Sequence, residues 1–69
     1  LKRLQYFMIK NLHQDTVEEV ERIIKSIEGV LNVDIVVEAG VAGIEYDDNF
    51  LTREEIVEKL RRHGFEVLP

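Results

Sequence analysis

Of the side chains that hold metals or move protons near neutrality, this chain carries two histidines, His13 and His63, one methionine, Met8, and no cysteine. His13 and Asp15 lie within Leu12-His13-Gln14-Asp15-Thr16, a polar stretch between an apolar run and a helical pattern. Imidazole and carboxylate both ligate zinc, so the pair could supply part of a tetrahedral set, but a stable site takes three or four ligands. Soft Cu(I) prefers sulfur, and Met8 is the one thioether present. Zinc or copper at His13 and Asp15 therefore needs a ligand from elsewhere, and the plainer expectation is a solvated loop with no resident cofactor. His63 precedes Gly64 at a helix end, where an imidazole meets the negative end of the dipole and needs no other purpose.

The acidic residues Asp47, Asp48, Glu54 and Glu55 lack the spacing of a calcium loop, with its central glycine and its glutamate at the last position. A turn followed by a capping box accounts for them. No nucleophile stands beside a base and no pair of carboxylates suggests a cleft, so the chain reads as non-enzymatic.

These groups have to be positioned by a small scaffold. Sixty-nine residues make one domain, 1–69, and a chain of that length hides only about 60% of its unfolded surface. With no cysteine, packing alone must hold it together. A net charge of −5 weighs against following a phosphate backbone, so nucleic acid is not an expected partner. The apolar runs are too short to span a bilayer and no signal peptide is visible, so a cytoplasmic setting without membrane insertion is expected. The first residue is a leucine, which points to a fragment of a larger chain or a small stand-alone protein.

Leu4 to Lys10 is rich in aromatic and branched residues and reads as a strand. From Val17, the residues Val20, Ile23, Ile24 and Ile27 recur at three and four, one face of a helix. Glu18 with Arg22 and Glu21 with Lys25 are acid-before-base pairs on its other face. Asp15 or Thr16 would cap the start, and Gly29 would end the helix in a left-handed conformation. Val33, Ile35 and Val37 then alternate with Asn32, Asp34 and Glu38, and Ala39-Gly40 turns the chain into a return strand carrying Ala42, Ile44 and Tyr46 on one face. Thr52 with Glu55 opens a second helix burying Ile56, Val57 and Leu60, Gly64 stops it, and Phe65 to Leu68 forms a last short strand. The order βαββαβ predicts an α+β, ferredoxin-like sandwich: a four-stranded antiparallel sheet with two helices on one face.

That architecture serves many functions. An RNA-recognition motif would need aromatics and a basic signature where this chain has Gly43-Ile44-Glu45-Tyr46. A small-molecule sensing domain would want a glycine-rich first loop, which is missing. The segments VEEVERIIKSIEGVLNVDIVV and IEYDDNFLTREEIVEKLRRHGFEV instead resemble the heavy-metal-associated domain of copper chaperones and metal-transporting P-type ATPases. The likeness covers nearly the whole chain. It implies binding of a soft ion, Cu(I) or Zn(II), by two cysteines in a Met-x-Cys-x-x-Cys loop between the first strand and the first helix. Here the alignment places Thr16 at the second cysteine and His13 at the first when counted back from Gly29-Val30, whereas counting forward from the first strand places the first at Gln14. The loop thus reads as having lost both thiolates and one residue of length, while Leu12 stays as the apolar plug beneath it.

On the sheet face away from the helices, the alternation puts Tyr6, Met8, Val36, Val41 and Leu68 together, a candidate interface. The sequence therefore predicts a metal-trafficking scaffold without its thiolate site, serving as a protein-docking or regulatory module. Its partner would be another protein, another domain of the same chain or a second copy. The alternative is a divergent metal-binding or transport domain using His13 with Asp15 or a partner's ligand.

Overall fold

In a computed structural model describing all of Leu1–Pro69, five elements follow in the order β1 (Lys2–Met8), α1 (Val17–Lys25), β2 (Val30–Val36), β3 (Val41–Asp47) and α2 (Arg53–Arg62). β3 is central: it pairs antiparallel with β1 from Lys2↔Asp47 to Met8↔Val41, and with β2 from Val30↔Tyr46 to Val36↔Val41. The sheet order is β1-β3-β2.

The sheet has three strands, not the four expected. Residues 65–68 make one isolated bridge, Val67 to Ile9, flanked by hydrogen bonds from Lys10 N to Glu66 O and from Leu68 N to Met8 O, both 2.8 Å. The reason is local. Asn11 turns the chain at φ 70 and Gly64 does so at φ 90, which closes one end of the pairing, and at the other Tyr6 O, the next outward acceptor along β1, is taken by Arg53 Nη2.

The helices form where the apolar spacing puts them. α1 buries Val20, Ile23 and Ile24, and α2 buries Ile56 and Leu60, while Val57 is half-buried. They meet the inner row of the sheet, Phe7 and Ile9 on the β1 side with Ala42, Ile44 and Tyr46 of β3, and Leu12, Leu51 and Phe65 from the connections close the core. The Tyr46 hydroxyl, brought into this core, donates to Gln5 Oε1 at 2.6 Å and so escapes the cost of an unpaired buried polar group.

α2 has both of its ends satisfied. Thr52 Oγ1 accepts from Glu55 N at 3.1 Å and Glu55 Oε1 accepts from Thr52 N at 2.8 Å, the expected capping box. At the other end Gly64 N donates to Arg61 O and Phe65 N to Leu60 O, both 2.9 Å, a Schellman closure that also brings Phe65 and Leu60 into the core together.

Expected boundaries move in three elements, the first being β1, which runs from Lys2 to Met8 where Leu4 to Lys10 was expected. α1 ends at Lys25 with Ser26 as its cap, whose hydroxyl donates to Ile23 O at 2.6 Å, so Gly29 serves β2 instead of the helix. Gly29 sits at φ 102, and a Cβ there would lie 3.2 Å from Leu51 Cβ. β2 ends at Val36, because Val37–Ala39 winds into a short 3-10 turn closed by Gly40 at φ 66, a longer connection than the expected two-residue turn. On the surface of α1, Lys25 and Glu21 pair at 3.0 Å, whereas Glu18 and Arg22 form no ion pair.

Candidate functional site

The loop between β1 and α1 is tied to itself. Thr16 Oγ1 donates to Asn11 O at 2.7 Å and accepts from His13 N at 3.0 Å, while the backbone N–H groups of Thr16 and Val17 both reach His13 O, at 3.0 and 2.9 Å. Thr16 therefore stands at the N-cap position of α1 without capping it, because its hydroxyl points back into the loop. The expectation of a side-chain cap at Asp15 or Thr16 is corrected: Asp15 makes no side-chain hydrogen bond, and Thr16 spends its own on the turn.

The side chains of this loop divide cleanly. Leu12 is 3% exposed and belongs to the core, whereas His13, Gln14 and Asp15 are exposed. His13, Asp15 and Glu38 border one shallow depression with Leu12, Gln14 and Val37. Nowhere in the chain do three His, Cys, Asp or Glu side chains come close enough to hold a metal ion. The loop as folded offers at most scattered oxygen and nitrogen donors, short of the set that zinc needs and without the sulfur that Cu(I) prefers.

Behind the loop lies the uncovered sheet face. Met8, Val41 and Val36 pair across the three strands, and Leu68, whose N–H donates to Met8 O, extends that row. The next row is Tyr6, Gly43 and Asp34, and beyond it Leu4, Glu45 and Asn32. Tyr6 is 64% exposed and leans over Gly43, where a Cβ would lie 3.1 Å from Tyr6 Cε1. The five candidate interface residues thus share one face, four of them in a single apolar row, with Val41 half-buried at its centre.

Two contributors escape a reading of the sequence. The Arg53 guanidinium stacks 4.1 Å from the centroid of the buried Phe7 ring, and its Nη2 donates to Tyr6 O at 3.2 Å, closing the outer edge of β1. Gly43 makes the dip that Tyr6 fills. Neither carries a local signal, because each depends on residues brought together only by the fold.

The sequence pattern of the heavy-metal-associated domain matches residues 7–66. The chain belongs to the heavy-metal-associated domain family. Solved structures share its shape at low identity. Oxidized MerP from Ralstonia metallidurans CH34 superposes with a TM-score of 0.93 at 17% identity, covering 99% of this chain and 96% of the other. A copper-binding domain from HMA7, a P-type ATPase, superposes at 0.87 with 21% identity over 97% and 95%, and the CopZ metallochaperone at 0.87 with 19% identity over 96% and 100%. No curated protein matches the sequence. Within this family the domain is degenerate, since it has no cysteine and so lacks the Cys-x-x-Cys motif. No helix is long and apolar enough to cross a membrane.

Proposed function

We propose that this heavy-metal-associated domain works without thiolate chemistry, as a non-catalytic docking or regulatory module that binds another protein or another domain of its own chain. The observation that carries the reading is the loop: the fold is kept to its apolar plug at Leu12, yet no metal-ligand set converges there and the Thr16 hydroxyl closes the turn on itself. The row of Met8, Val41, Val36 and Leu68 with Tyr6 beside it is the surface offered for docking, and its apolar exposure supports that use. Likeness to a domain of a P-type ATPase supports a place within a larger assembly.

A second reading has one observation in its favour. His13, Asp15 and Glu38 edge the same depression, so a ligand from a partner could complete a zinc site there. Titration with Zn(II) and with Cu(I), followed by amide NMR, separates the two. The first reading expects no saturable shift around residues 11–17 at millimolar protein. A saturable shift centred on His13 would replace it with the second.

A further inference from the structure

The two edges of the sheet are finished differently. Along β1, the Val67 bridge, the Arg53 guanidinium on Tyr6 O, and the charged residues Lys2 and Arg3 blunt the outer side. β2 has no such cover. It is the last strand in the order, and beyond its ladder with β3 no backbone group from Leu31 to Val36 makes a hydrogen bond. An edge without proline, lysine or a covering loop is a template for another strand.

Burial points the same way. The inward apolar residues at the β1 side and in β3, Phe7, Ile9, Ala42, Ile44 and Tyr46, are all buried, whereas Val33 and Ile35 of β2 are only half-buried and Leu31 is 57% exposed. Toward the start of β1 the inner face ends in polar side chains, half-buried Gln5 and exposed Arg3, so β2 is the edge at which apolar side chains are left unfinished. On the outer face Asn32 and Asp34 make no side-chain hydrogen bond, and Asp34 enters no ion pair.

We infer that the occupant of this edge is a second copy of the chain, its β2 antiparallel to the first across a two-fold axis at Val33, giving one continuous six-stranded sheet. The sequence of β2 is complementary to itself in that register. Asn32 faces Asp34 of the second copy, twice, pairing an amide donor with a carboxylate that has no partner at home. Leu31 faces Ile35, and Val33 faces its own symmetry mate, so the half-wet apolar residues cover one another. Registers shifted by one residue would turn inward side chains outward. Centring on Asp34 would oppose two carboxylates, and centring on Asn32 would set Asp34 against Val30, beside the bulge between Val30 and Asn32. The contact is isologous and closes at two copies, so it produces a dimer and not a fibre.

Sedimentation equilibrium from roughly micromolar to millimolar protein tests this, with hydrogen exchange locating the contact. The expected result is a monomer–dimer equilibrium in which the outward amides of residues 31–35 become protected as concentration rises. Asn32→Asp opposes two carboxylate pairs and weakens the dimer about tenfold; Asn32→Lys creates two opposite-charge pairs and tightens it by a similar factor. Asn32→Asp with Asp34→Asn restores the pairing and returns the affinity to near the parent's. Both side chains are exposed, so the thermal midpoint of the dilute monomer is a control for folding. A chain monomeric at millimolar concentration, equal affinities for the aspartate and lysine variants, or protection confined to Tyr6, Met8 and Leu68 would each overturn the inference.

Discussion

The Thr16 hydroxyl donates to the carbonyl oxygen of Asn11 across 2.7 Å, and it is this bond, with the one accepted from His13 N at 3.0 Å, that fixes the loop. Asn11 is held at φ 70, a left-handed conformation that asparagine tolerates better than most residues. Removing the hydroxyl frees both partners at once. Thr16→Val is expected to cost about 1 to 2 kcal/mol, since each net hydrogen bond contributes roughly 0.5 to 1.5 kcal/mol and the site is half-open to water. Thr16→Ser should keep most of it. Urea unfolding gives the energies, and faster amide exchange at His13 in the valine variant alone would tie the loss to the turn.

Gly43 presents a substitution with an uncommon sign. Its φ is not in the left-handed region, so alanine meets no backbone penalty, and the one close neighbour of the new Cβ is the far edge of the Tyr6 ring at 3.1 Å. That ring is mostly exposed and can swing by a few tenths of an ångström. Replacing glycine within a strand by alanine should then stabilise by roughly 0.5 kcal/mol through the unfolded chain. The Tyr6 ring protons should shift in the NMR spectrum while the core signals hold. A loss of more than about 1 kcal/mol would mean that Tyr6 is not free to move.

Arg53 offers a test of the β1 edge. Its guanidinium both faces the Phe7 ring at 4.1 Å and donates to Tyr6 O at 3.2 Å. A partly exposed cation–π contact is worth about 0.5 to 1 kcal/mol, and the planar fork allows the second contact that a lysine ammonium would struggle to make. Arg53→Lys is expected to lose less than Arg53→Met, and both should speed exchange at the neighbouring β1 amides. Equal stabilities for all three chains would show that solvent screens the pair completely.

The parts of this fold legible in the sequence are those set by near neighbours. Val20, Ile23 and Ile24 announce the buried face of α1 through spacing alone, and Thr52 with Glu55 announces the start of α2 because both halves of its cap lie within one turn. Thr16 shows where that reasoning stops: a hydroxyl before a helix can cap forward or bond backward, and the left-handed turn at Asn11 decides it. The last strand shortens because pairing depends on what Asn11 and Gly64 do to either chain, which the alternation in Phe65 to Leu68 does not record. At the site, the exposure of His13 and Asp15 follows from loop composition, but their failure to meet a third ligand is a fact of three dimensions.

Acid should destabilise this domain through the turn after β3. Asp47 is held below the ordinary carboxylate range by the N–H of Asn49, 3.0 Å from its Oδ1. A depressed carboxylate stabilises fully above about pH 4 and loses that contribution as pH falls through its folded value. Stability should therefore fall on the acid side. Asp47→Asn keeps an oxygen to accept from Asn49 but no longer titrates, so it should flatten the acid limb of urea unfolding measured against pH. An acid limb unchanged by that substitution would rule Asp47 out.

The loop can also be asked to regain what its family uses. His13 and Thr16 occupy the two cysteine positions when the chain is aligned from Gly29-Val30, and they already touch, the N–H of one on the side-chain oxygen of the other at 3.0 Å. His13→Cys with Thr16→Cys places two thiols three residues apart on a turn that Thr16 and Val17 N–H groups continue to brace through His13 O. Two thiolates satisfy Cu(I), which binds sulfur in preference to nitrogen or oxygen, whereas zinc would still lack ligands. The double variant is therefore expected to bind one Cu(I) with a new ultraviolet thiolate-to-metal band, and to bind Zn(II) far more weakly. Either single variant should show neither band nor stoichiometry. The cost is the Thr16 hydroxyl pair, so the metal-free double variant should unfold at lower urea than the parent and recover on copper addition. Absence of Cu(I) binding in a folded double variant would show that two sulfurs at these positions do not suffice in this loop.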